Sequence, residues 1–137
     1  MQSQNQSNNP FGETIYAYTR TQAIEDGELV DVSKMAKEAG FRVPVAVTRS
    51  VWGQYIEWTD NDTDKQTIQD QPGRLWDVLW MLRFAYLSNK SEFLIYTLHI
   101  VPRDGHSKKP VLVKLKAILG GGDEGEPVIT IMLPHED

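Results

Sequence analysis

Asp60, Asp62 and Asp64 alternate in the stretch DNDTD, the spacing with which a calcium-binding loop opens. Such a loop also needs a glycine at its sixth position and a bidentate glutamate at its twelfth. Lys65 and Gln71 stand there instead, so the stretch is expected to be part of a solvated polar loop from Asp60 to Gly73. GGGDEGE, from Gly120 to Glu126, is rich in glycine but lacks the Lys-Ser/Thr pair of a phosphate loop and leads into a strand-like run. It reads as a hairpin connection. His99, His106 and His135 are not spaced as metal ligands on one element. No serine sits in a G-x-S-x-G elbow. The absence of cysteine removes thiolate chemistry, disulfides and cysteine metal centres together. Neither a catalytic set nor a cofactor fingerprint emerges, so none is expected.

The remaining chemistry rests on isolated charged and aromatic side chains. Arg83 lies inside GRLWDVLWMLRFAYL, the most apolar stretch of the chain. An unpaired buried guanidinium is costly. Three readings stay open: its methylenes run along apolar surface with the head in water, it meets a carboxylate such as Asp26, Asp31 or Glu57, or it lines a concave site aimed at an anionic ligand. Glu25, Asp26, Glu28 and Asp31 crowd around Gly27, with Tyr18 and Arg20 close by in sequence. They form either solvated acids at a tight turn or an acidic docking surface. The candidate interaction or pocket residues are Tyr18, Arg20, Asp26, Asp31, Arg49, Trp58, Arg83 and Asp104. Trp58, beside the polar stretch, is the tryptophan most expected at the surface.

Composition bounds the alternatives. The 137 residues suit one domain, and 40% hydrophobic with 24% charged residues is the balance of a globular chain. A net charge of −5 argues against a uniformly basic nucleic-acid binder. A weaker binder could still use Lys108, Lys109, Lys114 and Lys116 on one sheet face. No run approaches the roughly 18 apolar residues of a membrane span. MQSQNQSNNP lacks the charged and apolar regions of a signal peptide, and residues 1–12 are expected to be a disordered tail. A cytoplasmic location is expected.

Hydrophobic periodicity supplies the elements. Glu13–Thr19 alternates weakly, as a short strand would. TQAIEDG reads as one helical turn capped by Thr21 and ended by Gly27, and Glu28–Val32 as a half-buried strand. SKMAKEAGF is bounded as a helix by Ser33 and Gly40, with Met35, Ala36 and Ala39 on its buried face. Val43–Val47 follows as a buried strand. Thr48 caps a second helix carrying Val51, Trp52, Tyr55 and Ile56 on one side. The helix from Gly73 to about Asn89 has an apolar arc covering well over half its circumference, with Arg74, Asp77 and Ser88 on the remainder. So wide an arc predicts cover by more than one neighbour and a place at the centre of the core. Glu92–Val101, Val111–Leu119 and Glu126–Leu133 read as three strands. The whole predicts a single α+β domain over residues 13–137 in two layers: a C-terminal three-stranded antiparallel meander packed against a central apolar helix, with short N-terminal strands and helices.

The blocks YTRTQAIEDGELVDVSKMAKEAGFRVPVAVTRSVW, GRLWDVLWML, VPRDG and GEPVITIMLPHED resemble a family of short uncharacterised bacterial proteins associated with phages, plasmids and other mobile elements. The resemblance covers roughly Tyr16 to Asp137. It implies a cytosolic accessory protein and carries no activity, cofactor or site residue. The leading expectation is a non-catalytic module binding an unknown host or element-encoded protein, as a regulator or a modulator of a defence system. The alternatives are a small enzyme with a polar cleft near Arg83, and a weak nucleic-acid binder through the Lys108–Lys116 face.

Overall fold

The computed structural model describes residues 18–137. The expected tail over residues 1–12 and most of the expected strand over 13–19 lie outside them. The chain runs α1 (Arg20–Glu25), β1 (Leu29–Asp31), α2 (Ser33–Glu38), β2 (Val45–Thr48), α3 (Arg49–Val51) with a π-helical turn (Trp52–Ile56), α4 (Asp60–Lys65), α5 (Gln71–Ser88), β3 (Phe93–Ile100), β4 (Val111–Gly121) and β5 (Pro127–Met132). The described strands form one mixed sheet in the order β1-β2-β5-β4-β3. β3, β4 and β5 pair antiparallel in sequence order. They are half of the story: β1 and β2 form a second antiparallel pair, joined to the first three strands by a parallel contact that sets Val45 against Ile129 and Val47 against Ile131.

Local signals explain most boundaries. Thr19, not Thr21, caps α1: its hydroxyl accepts from the Gln22 amide while Gln22 Oε1 accepts from the Thr19 amide, a reciprocal capping box. Thr21 instead donates its hydroxyl to Asp123 at 2.7 Å. Ser33 does not cap α2 either; Val32 holds that position without a side-chain bond. The Ser33 hydroxyl donates to Asp31 at 2.6 Å and accepts from the Val45 amide, so it ties the start of the helix to β2. Thr48 caps α3 as expected. The acidic stretch is not wholly loop: Thr59 and Asp62 form a second capping box and Asp60–Lys65 is helical. Asp62 is buried there, where its carboxylate accepts from Arg103 Nε at 2.8 Å.

The core lies between the sheet and one side of α5. Leu94, Tyr96, Leu98 and Ile100 alternate inward from β3, facing Leu75, Val78, Leu79 and Leu82 of the helix. The Tyr96 hydroxyl donates to the Val78 carbonyl, 3.0 Å away. α2 and the π-helical turn also pack against the helix.

Of the two arginines of the helix, Arg74 departs from its expected place and Arg83 keeps to one of its open readings. Arg74, placed by periodicity on the polar side, is 2% exposed, whereas Arg83 is only half-buried. The Arg74 guanidinium lies over the Trp58 ring, 4.4 Å from its centroid. Its Nε donates to the Ile56 carbonyl at 3.1 Å, and its Nη1 to the Val101 carbonyl at 2.8 Å and to Gln69 at 3.2 Å. Burial pulls its pKa down to about 10, so it keeps its proton at neutral pH. It therefore satisfies carbonyls at the ends of the π-helical turn and of β3, which a sheet or helix ladder leaves unpaired.

Arg74→Ala is expected to cost about 3–5 kcal/mol in urea denaturation, through the cavity and the orphaned carbonyls. Arg83→Ala is expected to cost below about 1 kcal/mol, as a partly solvated side chain with no ion pair among the described residues would. The opposite ranking would refute this placement of the two arginines. A pH dependence follows from Asp62. Burial raises its pKa, but hydrogen bonds from Arg103 and Thr59 outweigh burial and leave it below the ordinary value of 3.8. Its contribution is thus present above the unfolded-state pKa and disappears as pH falls through the lower folded value. Melting temperatures measured from about pH 6 down to about pH 2 should fall more steeply for the native chain than for Asp62→Asn.

Candidate functional site

Most charged side chains singled out by sequence are engaged in holding the fold. The Tyr18 hydroxyl donates to Asp26 at 2.7 Å. Arg20 donates to the Thr130 hydroxyl and the Ile129 carbonyl at 2.7 and 2.8 Å, pinning α1 to β5. Asp31 accepts from the Ser33 amide and hydroxyl. Arg49 pairs with Glu28 at 2.6 Å on the exposed surface. Asp104 organises its own turn: hydrogen bonds from the Ser107 hydroxyl and amide, then from the His106 amide, hold its carboxyl down at about 2. Arg20 and Asp31 share a small cavity with Asp123 and Glu126; Asp104 and Arg83 line neither that cavity nor a common one.

Two expectations about exposure are corrected. Trp58 is 8% exposed, not a surface tryptophan, because it lies beneath Arg74 with its indole N–H donated to the Thr63 hydroxyl at 3.1 Å. The lysine face is also interrupted. Lys116 is buried, its ammonium against the Glu136 carbonyl and 5.8 Å from the Phe93 ring centroid. Lys108 donates to the Gln66 carbonyl at 3.2 Å. A duplex would thus meet fewer free ammonium groups than the alternating sequence promised.

The outer side of α5, which sequence reasoning assigned to the core, is one of the exposed apolar surfaces of the molecule. Trp80, Phe84 and Leu87 are 44%, 62% and 56% exposed, and Trp76 is half-buried beside them. Their spacing of four, four and three residues stacks them along one side; Trp76 still packs against the core, whereas Trp80, Phe84 and Leu87 are largely exposed. Trp76 and Trp80 stack with centroids 5.6 Å apart and planes within 12°. Arg83 reaches over this stripe, 5.7 Å from the Trp80 ring centroid. The sequence did carry the signal: the apolar arc is wider than one sheet can cover. Reading all of it as core concealed the possibility that one side is left open.

Beside the stripe a pocket of about 350 Å³ opens between the C-terminal half of α5, the Gly40–Val43 turn and strands β3 to β5. Gly40 has a φ of +104°, and a Cβ there would collide with Arg83 Nε. Glycine is thus required twice at this position, by the backbone and by the arginine that lies across it.

Among the described residues no group of three or more His, Asp or Glu gathers as a metal site, and no helix is long and apolar enough to cross a membrane. No curated protein and no solved structure matches the chain. A family match spans residues 8–137, the whole described region included, and the chain therefore belongs to DUF6573, a family of unknown function.

Proposed function

We propose that this protein is a non-catalytic protein-binding module that docks a partner on the outer side of α5. The observation that carries the reading is the two-sided apolarity of that helix. An α-helix apolar nearly all round is normally covered all round. Here the sheet covers one side, and Trp80, Phe84 and Leu87 remain in solvent on the other. Large contiguous apolar patches of this kind mark interaction surfaces, and tryptophan is over-represented among the residues that dominate binding energy. Arg20, Asp31, Arg49 and Asp104, four of the residues from which a catalytic cleft could be assembled, are instead engaged by neighbouring side chains or backbone.

In this reading the protein is a cytoplasmic regulator, or a modulator of a host or defence-system protein, encoded by a bacterial phage, plasmid or other mobile element. The family resemblance supports that context.

The test is quantitative capture from host lysate by the tagged protein and by a Trp80→Ser, Phe84→Ser double variant. The variant's fold is checked first by circular dichroism and thermal melting, because Trp80 stacks on Trp76 and its removal costs more than a featureless surface substitution. A stoichiometric partner should be held by the native chain, cross-link to α5, and bind the variant at least about tenfold more weakly. A partner retained equally by the folded variant would overturn the assignment. A concentration-dependent dimer, dissolved by the same substitutions, would instead assign the face to a second copy.

A further inference from the structure

The protein contains six arginines, and four are committed to its own fold. Arg20 bonds Thr130 and Ile129, Arg49 pairs with Glu28, Arg74 is buried on backbone carbonyls, and Arg103 pairs with Asp62 and Glu57. Only Arg42 and Arg83 make neither an ion pair nor a hydrogen bond among the described residues, and both line the same pocket. No aspartate or glutamate lines it, although the chain as a whole carries a net charge of −5. The pocket's body is aliphatic and aromatic, formed by Phe41, Leu82, Leu94, Leu119 and Ile129. This is a concave apolar chamber with a locally cationic rim on an acidic protein.

From this we infer that the pocket binds a small amphipathic carboxylate, with its apolar body among the leucines and its carboxylate on Arg83 and Arg42. Size and shape agree with this ligand class. A volume near 350 Å³ is within the range of small-molecule sites. It has room for roughly a dozen water-sized groups at the ~30 Å³ that a water takes in the liquid. Arg83 is positioned before any ligand arrives: it lies against the bare Gly40 backbone on one side and over the Trp80 ring on the other. A guanidinium held by packing, with its donors uncommitted, loses little freedom when a carboxylate accepts from it. The apolar lining lowers the local dielectric and strengthens that bond relative to water. The pocket adjoins the docking stripe and shares Leu87 with it, but the decanoate measurement reads the pocket without any protein partner.

The experiment is calorimetric titration of the full chain with decanoate, decanol and decylammonium, each below its micelle concentration. Decanoate should saturate at one per chain and bind about tenfold or more tightly than decanol, with decylammonium weakest. Raising the salt should erode the preference for decanoate and leave decanol unchanged. Arg83→Gln and Arg42→Gln should each weaken decanoate about fivefold or more with little effect on decanol. The salt comparison uses the native chain, so it stands even if a variant misfolds. Equal affinity for decanoate and decanol, or no saturable binding at millimolar ligand, would overturn the inference. So would binding of an acidic peptide with no binding of decanoate, which would give the two arginines to a protein partner.

Discussion

The fold is organised around a buried guanidinium that donates to carbonyls from two separate elements. Arg74 sits at the junction of α5, the π-helical turn and the end of β3, and the latter two each contribute a carbonyl that it satisfies. A π-helical turn offsets its hydrogen bonds by one residue, here from the Glu57 amide to the Trp52 carbonyl, and leaves the Ile56 carbonyl pointing inward. Arg74 takes that carbonyl and the one at Val101, and the Trp58 ring covers its face. Around it, Arg103 joins Asp62 to Glu57, and Gln66 binds the Pro102 and Ser107 carbonyls. These polar contacts join α4 and the 102–107 turn to the end of the sheet, where little apolar surface is available to do so.

This arrangement decides which side of α5 is free. The helix is clamped at its N-terminal end by Arg74 and packed along one side by the sheet, with α2 on its flank. Its rotation about its own axis is therefore fixed, and Trp80, Phe84 and Leu87 are turned outward, with Trp76 at the edge of the core beside them. Exposing that much aromatic surface brings an aggregation risk and no stability in the isolated chain. The stripe is readily understood as a surface that is covered in use. Arg83 belongs to this outer region; its charge meets solvent and the rim of the adjacent pocket.

Much of this was legible in the sequence where information is local. The Gly40 stop, the Thr48 cap, the inward Val113, Leu115 and Ala117 of β4 and the two C-terminal hairpin connections all follow from neighbours within a few residues. What was hidden is non-local. Parallel pairing of β2 with β5 joins segments some eighty residues apart, and no turn announces it. The burial of Arg74 has the same origin. A helical wheel ranks residues by apolar neighbours on the same helix, whereas Arg74 is buried by carbonyls and an indole brought from elsewhere. The wheel correctly showed too much apolar surface for one contact, but it could not say which part would stay open.

The central claim is that Arg74 and Trp58 face inward while the α5 stripe faces solvent in the isolated chain. Fluorine NMR of the 5-fluorotryptophan-labelled protein at low concentration tests it directly, by comparing each resonance in H₂O and D₂O. Trp80 should show a clear solvent isotope shift, and Trp58 close to none, each assigned by a Trp→Phe variant. A Trp80 as protected as Trp58 in the monomer would mean that the chain covers its own stripe, contradicting both the orientation of α5 and the docking role built on it.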